Sequence, residues 1–116
     1  MTHEMKLSPE PFTMMVSGIK TIELRLFDEK RRHIKPNDRI QFTNTENGTK
    51  ITVRVIEIHP FNSFAELYAK LPLLKCGYTE QTIQNAKPED MLEYYSIEQE
   101  KLYGVVGIET ELIRNI

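Results

Sequence analysis

The chain has 116 residues, 40% of them hydrophobic and 28% charged, the balance of one globular domain rather than a disordered segment. Fifteen Lys and Arg stand against 17 Asp and Glu, a net charge of −2, which excludes a histone-like polycation but not a local phosphate-binding patch. A single cysteine, Cys76, excludes an internal disulfide framework and a four-thiolate metal site, and no apolar run approaches the ~20 residues of a membrane-spanning helix.

Residues 4–7 predict a short strand. Ser8-Pro9-Glu10 then starts a helix: Ser at the N-cap, Pro at the first helical position, an acid facing the dipole. Phe12, Met15, Val16 and Ile19 share one face and predict a buried stripe. Gly18 ends the helix, because glycine enters the left-handed region without steric cost. Residues 21–26 alternate, with Ile22, Leu24 and Leu26 on one side and Thr21, Glu23 and Arg25 on the other. Residues 28–33 read as a charged turn or short helix, and Lys35-Pro36-Asn37-Asp38 as a turn into a second alternating strand, Arg39-Ile40-Gln41-Phe42. Asn47-Gly48 predicts a hairpin to a third strand at 51–58. The apolar phase of that strand switches after Val55, which predicts a bulge there.

Ser63-Phe64-Ala65-Glu66 has the form of a capping box, opening a helix with Phe64, Leu67, Tyr68 and Leu71 on one face. Residues 79–85 predict another helix, and Pro88 starts one more carrying Met91, Tyr94 and Tyr95. Ser96 to Gln99 forms a second capping box, and Gly104 returns the chain to a last strand at 105–113. The order β-α-β-β-β-α-α-β describes an α+β domain: a small, mostly antiparallel barrel with helices packed around it. The N-terminus has neither a signal peptide nor an Arg-rich transit segment, so a soluble, cytoplasmic protein is expected.

Charge is unevenly placed. The window 20–39 holds seven basic and four acidic residues, +3 within a chain of −2, while Glu89, Asp90, Glu93, Glu98, Glu100, Glu109 and Glu111 make the last third acidic. His3, His33 and His59 lack metal-ligand spacing and there is no glycine-rich phosphate loop, so neither metal nor cofactor is expected. Cys76 reads as a small buried hydrophobe.

The informative segment is Ser17-Gly18-Ile19-Lys20-Thr21-Ile22-Glu23-Leu24-Arg25. Residues two apart on a strand are neighbours, so Glu23 and Arg25 pair, and Lys20 at the helix-to-strand turn can reach the same rim. Two readings follow: a solvated, ion-paired strand face, or a polar cleft in which Lys20 and Arg25 hold a ligand that Glu23 orients. In an enzyme, Lys20 would act as nucleophile or base and Glu23 as its proton-transfer partner. Lys30-Arg31-Arg32-His33 is either a solvated turn or a phosphate grip. Met91, Tyr94 and Tyr95 read as core at helical spacing, with base stacking as the alternative for the tyrosines.

The run Gly18-x-Lys20-Thr21-x-Glu23-x-Arg25, followed by Lys35-x-x-Asp38, resembles the ASCH domain family, a branch of the PUA-like barrels. Phe61-x-x-Phe64, Glu93-Tyr94-Tyr95 and Tyr103-Gly104-Val105-Val106-Gly107-Ile108 extend the resemblance over nearly the whole chain. It implies a single domain with a cleft for RNA or a modified nucleotide, contacted by Gly18, Lys20, Thr21, Glu23 and Arg25, with Lys30, Arg31 and Arg32 beside it. It also implies a hydrolase alternative, since some relatives resemble ribonucleases. One branch deacetylates N-acetylcytidine with a Lys matching Lys20, a Thr matching Glu23 and a distal Glu; this sequence has Glu23 at the second place and Lys75 near the third. A protein-interaction adaptor using the acidic late helices is the remaining alternative.

Overall fold

In the computed structural model, which describes residues 1–113, five strands form one sheet. They are β1 (Thr2–Leu7), β2 (Ile22–Leu26), β3 (Arg39–Asn44), β4 (Lys50–Phe61) and β5 (Val105–Leu112), in the spatial order β1-β3-β4-β5-β2. β1 runs parallel to β3 and every other pairing is antiparallel. The free edges therefore belong to β1 and β2. The sheet curls into a half-barrel until Arg25 Nη2 on β2 donates to the Lys6 carbonyl on β1 at 2.6 Å. A side chain, not a backbone ladder, joins these two edges.

Alternation puts apolar groups on both sides of the sheet. Met5, Leu7, Ile40, Phe42, Val53, Val55, Val106 and Ile108 form the inner core with Phe12 and Met15 of the first helix. Ile22, Leu24, Leu26 and Val105 pack on the opposite face against Phe64 and Leu67. β5 is thus buried on both faces, consistent with its unbroken Val-Val-Gly-Ile run. The expected bulge lies between Val55 and Glu57; the extra residue lets Val53 and Val55 before it, and Ile58 after it, all turn inward.

Among the described residues, four α-helices pack around the sheet: α1 (Pro9–Val16), α2 (Glu29–Arg32), α3 (Phe64–Lys70) and α4 (Ile97–Tyr103). Helix α1 ends at Gly18, whose φ of +82° is the left-handed closure expected of glycine there. The stripe is shorter than expected: Phe12 and Met15 are buried, but Val16, the last residue of α1, and Ile19, beyond its end, are exposed. The Asn-Gly hairpin forms through a five-residue loop closed by Gly48 N–H on the Asn44 carbonyl, rather than a two-residue turn. Ser63 caps α3 by accepting from Glu66 N–H, while the reciprocal bond appears only in the second capping box, Ser96 with Gln99.

The largest correction concerns residues 72–96. No α-helix forms at 79–85 or over 88–95; the 3₁₀ turns Ile83–Asn85 and Pro88–Glu93 stand in their place, and a further one, Leu73–Lys75, precedes them. Thr79 and Thr82 exchange hydrogen bonds between side chains and backbone, which competes with helical pairing at the start of the first segment. Among the described residues, no helix is long and apolar enough to cross a membrane.

Candidate functional site

The motif residues converge because α1 hands the chain to β2 through a tightly bonded turn. Ile19 and Lys20 N–H both donate to the Met14 carbonyl, Thr21 N–H donates to the Lys75 carbonyl, and the Thr21 carbonyl accepts from Thr110 N–H. This pins the Lys20 backbone and sends its side chain inward, where it is 5% exposed. Lys20 Nζ donates to the carbonyls of Cys76 (2.8 Å) and Ile22 (3.0 Å) and pairs with Glu23 Oε1 at 3.1 Å. All three ammonium protons have an acceptor. Gly77 lies against this side chain: its φ of +113° excludes most residues, and a Cβ there would stand 3.5 Å from Nζ.

Glu23 pairs across the ladder with Ile108, and Arg25 with Val106, so both polar side chains share a face with the inner core. Arg25 grips the second carboxylate oxygen through Nε (2.8 Å) and Nη2 (2.7 Å). Burial alone would push the Glu23 carboxyl up, but Lys20 and Arg25 on either side hold it below its ordinary range. Burial likewise acts to lower the Arg25 pKa, and Glu23 reverses that and raises it. Glu23 is 5% exposed, so the solvated strand face does not describe this motif; it is a buried ion network.

The network floors a cleft of about 660 Å³. One side comes from β1 and α1, including Lys6 and Met14; the other comes from α3 and the 3₁₀ region, including Tyr68, Tyr78, Tyr94 and Tyr95. Tyr68 and Tyr78 share a hydroxyl hydrogen bond of 2.7 Å, and Tyr78 donates to Asp90 Oδ2 at 2.7 Å. Burial, then the bonds to Tyr68 and the Asp90 carboxylate, raise the Tyr78 pKa steeply, so this hydroxyl stays protonated. Tyr95 stacks on Phe64 with ring centroids 6.1 Å apart, and Tyr94, 63% exposed, lies beyond it. These tyrosines are therefore not simply core. The charged lining is Lys6, Lys20 and Arg25 against Glu10, Glu23, Asp90 and Glu93, one more acid than base.

The other motif residues separate. Thr21 acts through its locked backbone, and Gly18 forms the exposed turn with open space around its Cα. Lys30 and Arg31 line a second hollow beside Arg25, Lys30 donating to the Glu4 carbonyl and Arg31 to Asp28. Arg32 is engaged elsewhere, donating to the Tyr103 carbonyl with its guanidinium 4.4 Å from the centre of the Phe27 ring. Cys76 is buried, desolvation pushes its thiol up to about 11, and its contribution is the carbonyl that receives Lys20.

Sequence reading missed Tyr68, Tyr78 and Asp90 as a group. A compositional signal existed: four of the five tyrosines fall within residues 68–95.

The ASCH domain family model matches residues 5–114. The hypothetical protein PH0355 is 38% identical, with a TM-score of 0.81 over 97% of this chain and 100% of that one. Protein PF0455 from Pyrococcus furiosus is also 38% identical, with a TM-score of 0.72 over 99% of this chain and 100% of that one. ASCH from Zymomonas mobilis shares the fold at 20% identity and a TM-score of 0.63, covering 99% of this chain and 72% of its own. No curated protein matches. Motif, half-barrel and family match coincide over almost the full length, and the chain belongs to the ASCH domain family.

Proposed function

We propose that the cleft binds a nucleoside or nucleotide, free or within a short single-stranded RNA, with a base stacked on Tyr94 or Tyr95. The observation that carries this reading is Tyr94, 63% exposed at a cleft whose floor is a charged network. Any base offers a π-face, and base–tyrosine stacking contributes about 1–3 kcal/mol. Membership in a PUA-like family commonly associated with RNA supports the ligand class. The slight acid excess of the lining favours a short ligand over a long polyanion.

The network supports binding better than hydrolysis. As a nucleophile or base, Lys20 would need a free lone pair, yet its three protons are committed to two carbonyls and Glu23. Glu23, held ionised between two cations, acts as their anchor. Lys20, Glu23 and Arg25 accordingly shape and polarise the cleft floor.

The test is titration of short labelled single-stranded RNA and of the four nucleosides, at low and moderate salt. Tyr94→Ala is expected to weaken binding about tenfold, the lower end of a lost stacking contact, with an unchanged thermal melt. Absence of binding to every probe, or full binding by both Tyr94→Ala and Tyr95→Ala, would falsify the reading.

A further inference from the structure

A second hollow, of about 520 Å³, opens where the outer edge of β1 meets β2 and α2. Glu4, Lys6, Arg25, Lys30 and Arg31 line it, and Lys6 and Arg25 also line the tyrosine cleft, so the two hollows adjoin. Its character differs from that of the cleft. Four cations face one carboxylate here, and even after Glu23 and Asp28 are paired with Arg25 and Arg31 one positive charge remains. Among the described residues, neither Lys6 nor Lys30 has a carboxylate within ion-pair distance.

Arg31 Nε is buried and has no hydrogen-bond partner, the one such side-chain nitrogen or oxygen among the described residues. It is closed off from solvent, so the hollow's own ligand-facing donors are the ammonium groups of Lys6 and Lys30 and the outer guanidinium edges. Lys30 has two further ammonium protons beyond the one given to Glu4.

We propose that this hollow binds a phosphate group. Tetrahedral oxygens can accept from a guanidinium edge and from two ammonium groups together, a geometry suited to Arg with Lys. Arg25 then divides a single nucleotide site, with base recognition on the tyrosine side and phosphate on the Lys30 side. The pairing with a base rests on the cleft reading; the phosphate site itself does not. The phosphate has two sources, the terminal group of a nucleotide or 5′-phosphorylated RNA, and an internal phosphodiester.

Amide and side-chain NMR of the full chain tests the site first with inorganic phosphate alone. Saturable shifts at Lys30 and Arg31 that vanish in Lys30→Gln and return in Lys30→Arg are expected. Calorimetry then compares a nucleoside with its 5′-monophosphate, and RNA bearing a 5′-hydroxyl with RNA bearing a 5′-phosphate. The monophosphate should bind about tenfold more tightly than the nucleoside, as for a charge-assisted contact, and Lys30→Gln should erase the difference while leaving nucleoside affinity intact. Preference for 5′-phosphorylated RNA identifies the terminal source; equal binding of both RNAs, reduced together by Lys30→Gln, identifies the diester. Phosphate shifts without nucleoside binding would retain this site and remove the base-stacking reading. Absence of phosphate shifts together with equal nucleoside and monophosphate affinities would overturn the phosphate site, as would a preference unaffected by Lys30→Gln.

Discussion

The floor of the cleft, on β2, and its wall, in residues 72–96, hold their polar groups by different means. On the floor, an edge strand paired antiparallel to β5 fixes Glu23 and Arg25 side by side, and burial leaves each charge dependent on its partner. The wall has 3₁₀ turns instead of a ladder; its order comes from side chains, notably the Tyr68–Tyr78–Asp90 hydroxyl chain and the stacking of Tyr95 on Phe64. A buried, saturated network is rigid and unforgiving, whereas a wall held by a few part-buried side-chain contacts opens locally at lower cost. Under the proposed function, the floor supplies shape and the wall adjustable recognition.

The largest expected effect breaks the floor. Glu23→Ala strands two cations, one of them only 5% exposed, and should cost about 3–5 kcal/mol, lowering the melting temperature by more than about 10 °C for a domain of this size. A melt within a few degrees of the parent would show that the network is not structural.

The same carboxylate gives the next contrast. Its folded pKa lies below the ordinary value of 4.5, so its stabilisation is complete above that value and is lost as pH falls through the lower, folded pKa. Denaturant melts between pH 6 and pH 3 should therefore show a steeper loss for the parent chain than for Glu23→Gln. Parallel pH profiles would remove Glu23 as the source.

Behind the floor, β2 and the end of α3 meet at Gly107. A Cβ there would stand 2.5 Å from Leu71 Cδ1 at the end of α3 and 3.3 Å from Ile22 Cγ2 on β2. Gly107→Ala should destabilise by about 1–3 kcal/mol through overpacking, and hydrogen exchange should speed at both α3 and β2. Faster exchange on one side alone would mean that the contact does not couple them.

Tyr78→Phe acts on the wall alone. Removing the central hydroxyl leaves Asp90 and Tyr68 without their shared partner and should cost about 1 kcal/mol, with faster exchange confined to residues 72–96. Loss of protection across β2 as well would contradict the separation of the two regions.

Much of the fold was legible because its signals are local. Ser8-Pro9, Gly18 and the Ser96 capping box act within a few residues, and the phase switch after Val55 registers a bulge wherever the strand is placed. The 79–85 segment misled because apolar spacing says nothing about Thr79 and Thr82 bonding each other. In the candidate site, two-residue spacing made the Glu23–Arg25 pair legible. The saturation of Lys20 was not, since one acceptor lies on Cys76, 56 residues away.

By itself, the sequence determined which segments are strands, where α1 and α4 begin, and that a +3 segment carrying an ASCH-like motif lies within a chain of net charge −2. Only the tertiary structure decided what that segment faces. The parallel β1–β3 pairing and the β1-β3-β4-β5-β2 order bring the two free edges close enough for Arg25 to bond Lys6. They also part the basic cluster, with Lys30 and Arg31 on the hollow beside Arg25 and Arg32 on Phe27 and Tyr103. The physical reason is that caps, turns and periodicity are set by neighbours in the chain, whereas burial and charge pairing depend on strands that meet only after folding.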